Sequence, residues 1–206
     1  AECVARLSEL LSDDERARAA AFRFDTHRRR FVVRRAVLRQ ILAERVGRPA
    51  EALRFAVSPL GRPTLSAPLA EHLTFSASHS DELALVATAG RGRMAVDVER
   101  LRAPADLETI ATRFFAAEEA DWVLAAEPAA RAARFLHCWV LKEAFVKALG
   151  QGLQVCLQSF ALDAATVLEG DTATLTLAAT GNANPDLDIA YEVLDGGSAD
   201  SSDYIL

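Results

Sequence analysis

The chain has 206 residues, of which 51% are hydrophobic and 25% charged, with a formal net charge of −6. That is ordinary for a folded protein with a substantial core, enough for one large domain or two small lobes. An acidic total gives no general attraction to nucleic acid or to an anionic membrane, so any polyanion site has to be a local basic cluster. No apolar run approaches the roughly 18 residues a membrane helix needs. Acids within the first dozen residues argue against a signal peptide. Cys3, Cys138 and Cys156 are far apart with no C-x-x-C pair, which reads as unpaired thiols in a reducing cytoplasm. The sequence starts without Met and reads as a trimmed chain, and residues 202–206 read as the start of a strand.

In chain order, Ser12-Asp13-Asp14-Glu15 predicts a helix start, with Ser12 as N-cap and Glu15 as its capping-box partner, the helix running to about residue 22. A long basic helix is expected over 26–46, ended by Gly47 and Pro49, with Phe31, Leu38, Ile41, Leu42 and Val46 as its apolar face. A strand at 53–57 precedes the turn Ser58-Pro59-Leu60-Gly61-Arg62-Pro63. Strands at 73–78 and 83–88 flank a polar turn at 79–82, and 94–99 is a third strand. Helices are expected at 107–115, 117–125 and 130–149, the last closed by Gly150 and Gly152. The tail alternates as antiparallel strands at 159–162, 172–177 and 188–193, with a flexible loop at 196–202. The fold class is α/β of the α+β type: two pseudo-symmetric lobes, each a long helix packed on a small, mainly antiparallel sheet. The expected lobes are 1–100 and 101–206, forming one functional unit with the active site between them.

In Val96-Asp97-Val98-Glu99 the period is two, so Asp97 and Glu99 share one face while the valines face the core. Trp139, Glu143 and Lys147 stand at i, i+4 and i+8 on the last long helix, roughly one stripe. If stripe and strand meet, three carboxylates converge, and a hard cation such as magnesium would relieve their repulsion. The alternative is a solvated strand edge beside an exposed Glu–Lys pair. The run His27-Arg28-Arg29-Arg30 with Arg34, Arg35 and Arg39 reads either as an anion clamp or as a solvated helix whose arginine stems cover apolar surface. Nucleic acid is a third reading, disfavoured by the acidic total and the lack of interleaved aromatics. Arg62 puts a cation on a tight turn. Ser78-His79-Ser80 ends a strand, but without a G-x-S-x-G elbow it does not point to a hydrolase.

Taken together, these residues resemble a known family. Arg30 to Arg35 is similar to its early basic helix, and Leu60-Gly61-Arg62-Pro63 to its G-K/R-P turn. Phe75-Ser76-Ala77-Ser78-His79-Ser80 is similar to F-N-x-S-H-S, and Val96-Asp97-Val98-Glu99 to G-[IV]-D-x-E. Residues 113–119 are similar to R-F-F-x-x-x-E, and 139–152 to W-x-x-K-E-[AS]-x-x-K-x-x-G-x-G. The chain resembles the 4′-phosphopantetheinyl transferases, specifically the larger, two-lobed, surfactin-synthetase-activating type. Ala95 stands where the family usually has Gly, and Ser76 and Ala77 replace its commoner wording. The likeness covers residues 8–160 well and the tail weakly.

The resemblance implies transfer of the phosphopantetheine arm of coenzyme A to a serine of an apo acyl or peptidyl carrier protein, releasing adenosine 3′,5′-bisphosphate. It implies Mg²⁺ held by Asp97, Glu99 and Glu143, with Glu143 as base and Lys147 neutralising the pyrophosphate or protonating the leaving group. Arg30, Arg62 and His79 would bind the nucleotide end of coenzyme A, with Ser78 and Lys142 also near it. A cytoplasmic monomer, binding neither nucleic acid nor membrane, is expected. The alternative is a non-catalytic coenzyme A or carrier-protein binding module on the same fold.

Overall fold

The computed structural model describes residues 2–90, 92–150 and 155–162, together with three short strands farther on. The chain groups into two compact units, one of residues 1–58 and 63–74, the other of residues 59–62 and 75–206. Residues 75–100, expected with the N-terminal half, cluster with the second unit.

The first unit opens with helices α1 (Glu2–Ser8), α2 (Asp13–Ala20) and α3 (Asp25–Val46). The expected capping box is present: Glu15 N–H donates to Ser12 Oγ at 3.4 Å, and Ser12 N–H to Glu15 Oε2 at 2.9 Å. Gly47, in the left-handed conformation, ends α3. The buried stripe of α3 differs from the expected one. Leu38 and Leu42 are buried, but Phe31, Ile41 and Val46 are only half so, and the stripe runs through Val32, Ala36, Arg39 and Ala43. The reason is Arg39, 1% exposed, whose Nε donates to Glu15 Oε2 at 2.7 Å and whose Nη1 donates to the Ala50 and Leu53 carbonyls. Arg35 also pairs with Glu15 and lies 4.0 Å from the centre of the Phe55 ring. Burial would raise the Glu15 carboxyl, but hydrogen bonds from Arg39, the Ser12 backbone and Arg35 outweigh it and hold it below the ordinary value. Strands β1 (Phe55–Val57) and β2 (Pro63–Leu65) pair antiparallel, Phe55 opposite Leu65, so the expected 53–57 strand starts two residues late.

The longer stretch of the second unit, from Phe75 on, opens in the hairpin of β3 (Thr74–Ser80) and β4 (Leu83–Ala89), turned at Asp81 and Glu82. His79 therefore lies in the strand, not in the turn. The expected strand at 94–99 is reduced to β5 (Glu99–Arg100). The backbone before it does not join a ladder at Val96, whose N–H donates to the Ser76 hydroxyl at 3.2 Å. Helices α4 (Leu107–Phe114), α5 (Ala117–Leu124) and α6 (Pro128–Leu149) follow. They pack through Leu107, Ala111, Phe115, Val123 and Phe135. The C-terminal half of α6 packs Leu141, Phe145 and Val146 on Ala95, Leu157, Phe160 and Leu162. Of residues 159–162, expected as a strand, Ser159 instead ends a 3₁₀ turn at Leu157–Ser159 and 160–162 follow it outside any strand. Two further strands, β6 (Ala173–Leu175) and β7 (Ile189–Tyr191), pair antiparallel, within the segments expected at 172–177 and 188–193. The last, β8 (Tyr204–Ile205), pairs antiparallel with β5, Ile205 opposite Glu99. Gly152 and the 196–202 segment lie outside the described residues. Helices with small antiparallel sheets thus make up the fold, as the fold class requires.

Candidate active site

Three elements of the second unit build the site: β3, the segment leading into β5, and α6. On β3, Ser76, Ser78 and Ser80 are two apart and share one face. Each serine hydroxyl meets the acidic segment. Ser76 Oγ accepts from Val96 N–H, and Ser78 Oγ lies 2.6 Å from Asp97 Oδ1. Ser80 Oγ lies 2.9 Å from Glu99 Oε2 and accepts from Arg100 N–H at 3.1 Å. This ladder of hydroxyls fixes Asp97, 6% exposed, and half-buried Glu99 on one side of the segment. Val98 and Ala95 go to the interior, so the Ala95 methyl is core packing.

The last turns of α6 are buried almost all round: Cys138, Val140, Leu141, Lys142, Ala144, Phe145, Val146 and Ala148. Between Cys138 and Ala148 the half-buried positions are Trp139, Glu143 and Lys147, the stripe expected from the spacing, with Leu149 half-buried at the helix end. Lys147 Nζ donates to Asp97 Oδ1 and, at 3.3 Å, contacts Ser78 Oγ. Burial raises the Glu143 carboxyl above its ordinary value, the charges of Asp97 and Glu99 add to that, and Lys147 opposes it. Asp97, Glu99, Glu143, Lys147 and Ser78 are thereby brought into one electrostatic cluster. Among the described residues no three potential ligands form a ready-made metal cage.

Other expected residues go elsewhere. Lys142 is wholly buried. Its Nζ lies 2.7 Å from Glu119 Oε2 and donates to the Leu157 and Phe160 carbonyls. Burial pushes its ammonium down, and Glu119 works against that. Glu119 in turn accepts from the Ala116 and Leu162 N–H groups. Lys142 is thus a tie between α6, the start of α5 and the 157–162 segment, not a member of the cluster; its neighbour Glu143 is turned about 100° round the helix and so points to a different side. Arg62 aims its guanidinium at the carbonyls of Met94, Lys147 and Ala148, where burial and the nearby Arg93 charge lower its proton affinity. His79 is exposed and, between Ser78 and Ser80, on the other face of β3. Arg30 is on α3 of the first unit, one turn from Arg34, whose guanidinium burial and the Arg30 charge push down. Arg28, Arg29, Arg35 and Arg39 of the basic run pair with Asp25 or Glu15.

A profile of the 4′-phosphopantetheinyl transferase superfamily matches residues 93–205, which hold both the acidic segment and α6. The chain belongs to the 4′-phosphopantetheinyl transferase superfamily. A second profile, 4′-phosphopantetheinyl transferase, N-terminal, matches residues 2–91. The phosphopantetheinyl transferase HetI of a Nostoc species is 38% identical over 148 residues, 71% of this chain and 62% of that protein. The phosphopantetheinyl transferase psf-1 of Bacillus pumilus is 33% identical over 174 residues, 84% of this chain and 71% of that protein. The phosphopantetheinyl transferase Sfp of Bacillus subtilis is 27% identical over 157 residues, 76% and 68% of the two chains. The match to the Nostoc protein spans less than two thirds of that relative.

Two features of this superfamily member are not singled out by the sequence reading, one in the cluster and one in the packing behind it. Ser76 and Ser80 were passed over, although three serines at alternate positions of one strand were a readable sign of a polar face. Glu119 as the partner of Lys142 had no local sign, because the pair is separated by most of α5 and α6.

Proposed function

We propose that this protein moves the 4′-phosphopantetheine arm of coenzyme A onto a serine hydroxyl of an apo acyl or peptidyl carrier protein, releasing adenosine 3′,5′-bisphosphate. The observation that carries the reading is the Asp97–Lys147 contact, braced by Ser78, beside a Glu143 carboxyl whose proton affinity is raised, in a chain of this superfamily. The carrier serine is neutral and poorly nucleophilic, so it needs a base at the moment of attack. Glu143 takes the hydroxyl proton. The serine oxygen bonds to the β-phosphorus, the bond from that phosphorus to the bridging oxygen breaks, and its electrons leave with the nucleotide. Lys147 neutralises charge growing on the pyrophosphate, which is most of the catalytic task in phosphoryl-type transfer.

The donor set fits a magnesium ion. Asp97, Glu99 and Glu143 are hard oxygen donors, and the charges of Asp97 and Glu99 are near enough to help raise the proton affinity of Glu143. Magnesium typically takes one or two carboxylates and completes its shell with water and substrate phosphate, so a closed protein cage is not required. When bound it would polarise the β-phosphate and stabilise the departing phosphate. Arg30 and His79 are assigned to the nucleotide end of coenzyme A, where guanidinium and imidazole suit phosphate. A monomer working in the cytoplasm completes the proposal.

The test is chromatography of the nucleotide products. Adenosine 3′,5′-bisphosphate should form only with an apo carrier present, and not with a carrier whose acceptor serine is replaced by alanine. Release without any carrier would mean a phosphohydrolase, and no release with several carriers would leave a binding module.

A further inference from the structure

We infer that Arg62 is a positioning residue for the proposed transfer, holding Lys147 against Asp97 from behind, and not a contact of the nucleotide phosphate. The inference rests on the transferase reading for its effect on rate, but its geometry stands alone. The guanidinium Nη1 donates to the carbonyls of Lys147 at 3.1 Å and Ala148 at 3.3 Å, and Nη2 donates to the carbonyl of Met94 at 3.0 Å. The first two carbonyls lie in the last turn of α6, where the helix dipole favours a cation, and that of Lys147 also accepts from the capping Gly150 N–H at 3.1 Å. The third lies three residues before Asp97. One planar group thus joins the two segments that carry the two ends of the ion pair.

The local backbone is shaped for this. Gly61, at φ +87, makes the tight turn that delivers Arg62. Gly150, at φ +69, closes α6, and a Cβ there would lie 3.9 Å from Arg62 Cδ, so the arginine stem packs on the helix end. A lysine at 62 could not reproduce the span. Its single ammonium lacks the rigid fork that reaches acceptors on both segments.

Amine labelling reads the geometry without any assay of transfer. The chain has two lysines, Lys142 and Lys147, and Lys142 is wholly buried, so pulsed acetic anhydride followed by peptide mass spectrometry reports chiefly on Lys147. In Arg62→Ala its acetylation should quicken by about threefold or more as the contact to Asp97 loosens, with Arg62→Lys intermediate. In transfer assays Arg62→Ala should lose about tenfold or more in kcat while the KM for coenzyme A stays within about threefold. The loss should be equal with 3′-dephospho-coenzyme A. In a Lys147→Ala background the same change should cost little more, since the residue it positions is gone. Unchanged Lys147 labelling would overturn the inference. So would a KM effect that vanishes with the dephospho donor, or a kcat loss undiminished in the Lys147→Ala background. If Arg62→Ala does not fold, Arg62→Lys against wild type carries both readings. Failure of wild type to transfer at all would sink the transferase reading alone, and the labelling would still decide the position of Arg62.

Discussion

At Asp97 two neighbours compete for one carboxylate oxygen: the Lys147 ammonium and the Ser78 hydroxyl both meet Oδ1. The arrangement stores an acid and a cation side by side in a largely buried place, where their interaction is stronger than in water. Ser78 does no chemistry in this account; it sets where Asp97 points. Ser78→Ala should therefore lower the transfer rate by about tenfold, the scale of one hydrogen bond to a charged group, with coenzyme A binding by calorimetry little changed. An unaltered rate would mean that Asp97 is held by the lysine alone. The stripe Trp139, Glu143, Lys147 was readable from spacing because its neighbours on α6 are apolar and the helical period then assigns the faces. Lys142 was misjudged for the opposite reason. A lysine beside a glutamate proposed as the base looks functional, and only the fold reveals that Glu119 and two carbonyls receive it.

Between elements, charge pairs do work that local patterns do not announce. The Ser12–Glu15 capping box could be read from four residues, because both partners lie within one helical turn. That the same Glu15 also receives Arg35 and Arg39 from α3 could not, since those partners are 20 and 24 residues away. Glu15 thus ties α2 to α3 as well as starting α2. Glu15→Gln leaves Arg39 buried without its counter-charge and should cost about 3–5 kcal/mol in urea unfolding. The pair also sets an acid limit. With the folded Glu15 value below the ordinary 4.5, its stabilisation is fully present above the unfolded value. It is lost as pH falls through the lower folded one. Wild type should accordingly lose more stability than Glu15→Gln between neutral pH and the acid side of that window. Equal losses would show that the pair is not the linked group. The 94–98 segment failed as a strand for a related reason. Its alternation was real, but at Val96 a serine hydroxyl takes the hydrogen bond a neighbouring strand would have made.

For the molecule as a whole, a net charge of −6 coexists with a run of arginines on α3. Four of that run pair with Asp25 or Glu15, and the anion-binding role proposed for α3 is assigned to Arg30. Arg30→Ala should raise the KM for coenzyme A by about tenfold with kcat nearly constant, the pattern of lost uniform binding. A fall in kcat alone would move Arg30 out of the donor site. Superfamily membership, the acidic segment and α6 together support a single chemistry. The most direct test is intact-mass spectrometry of an apo carrier protein incubated with coenzyme A, Mg²⁺ and either wild type or Glu143→Gln. Wild type should add about 340 Da, the mass of the transferred arm, with the gain abolished by EDTA. Glu143→Gln, folded by circular dichroism, should be slower by about 10²–10⁴. An undiminished mass gain with Glu143→Gln would contradict the account.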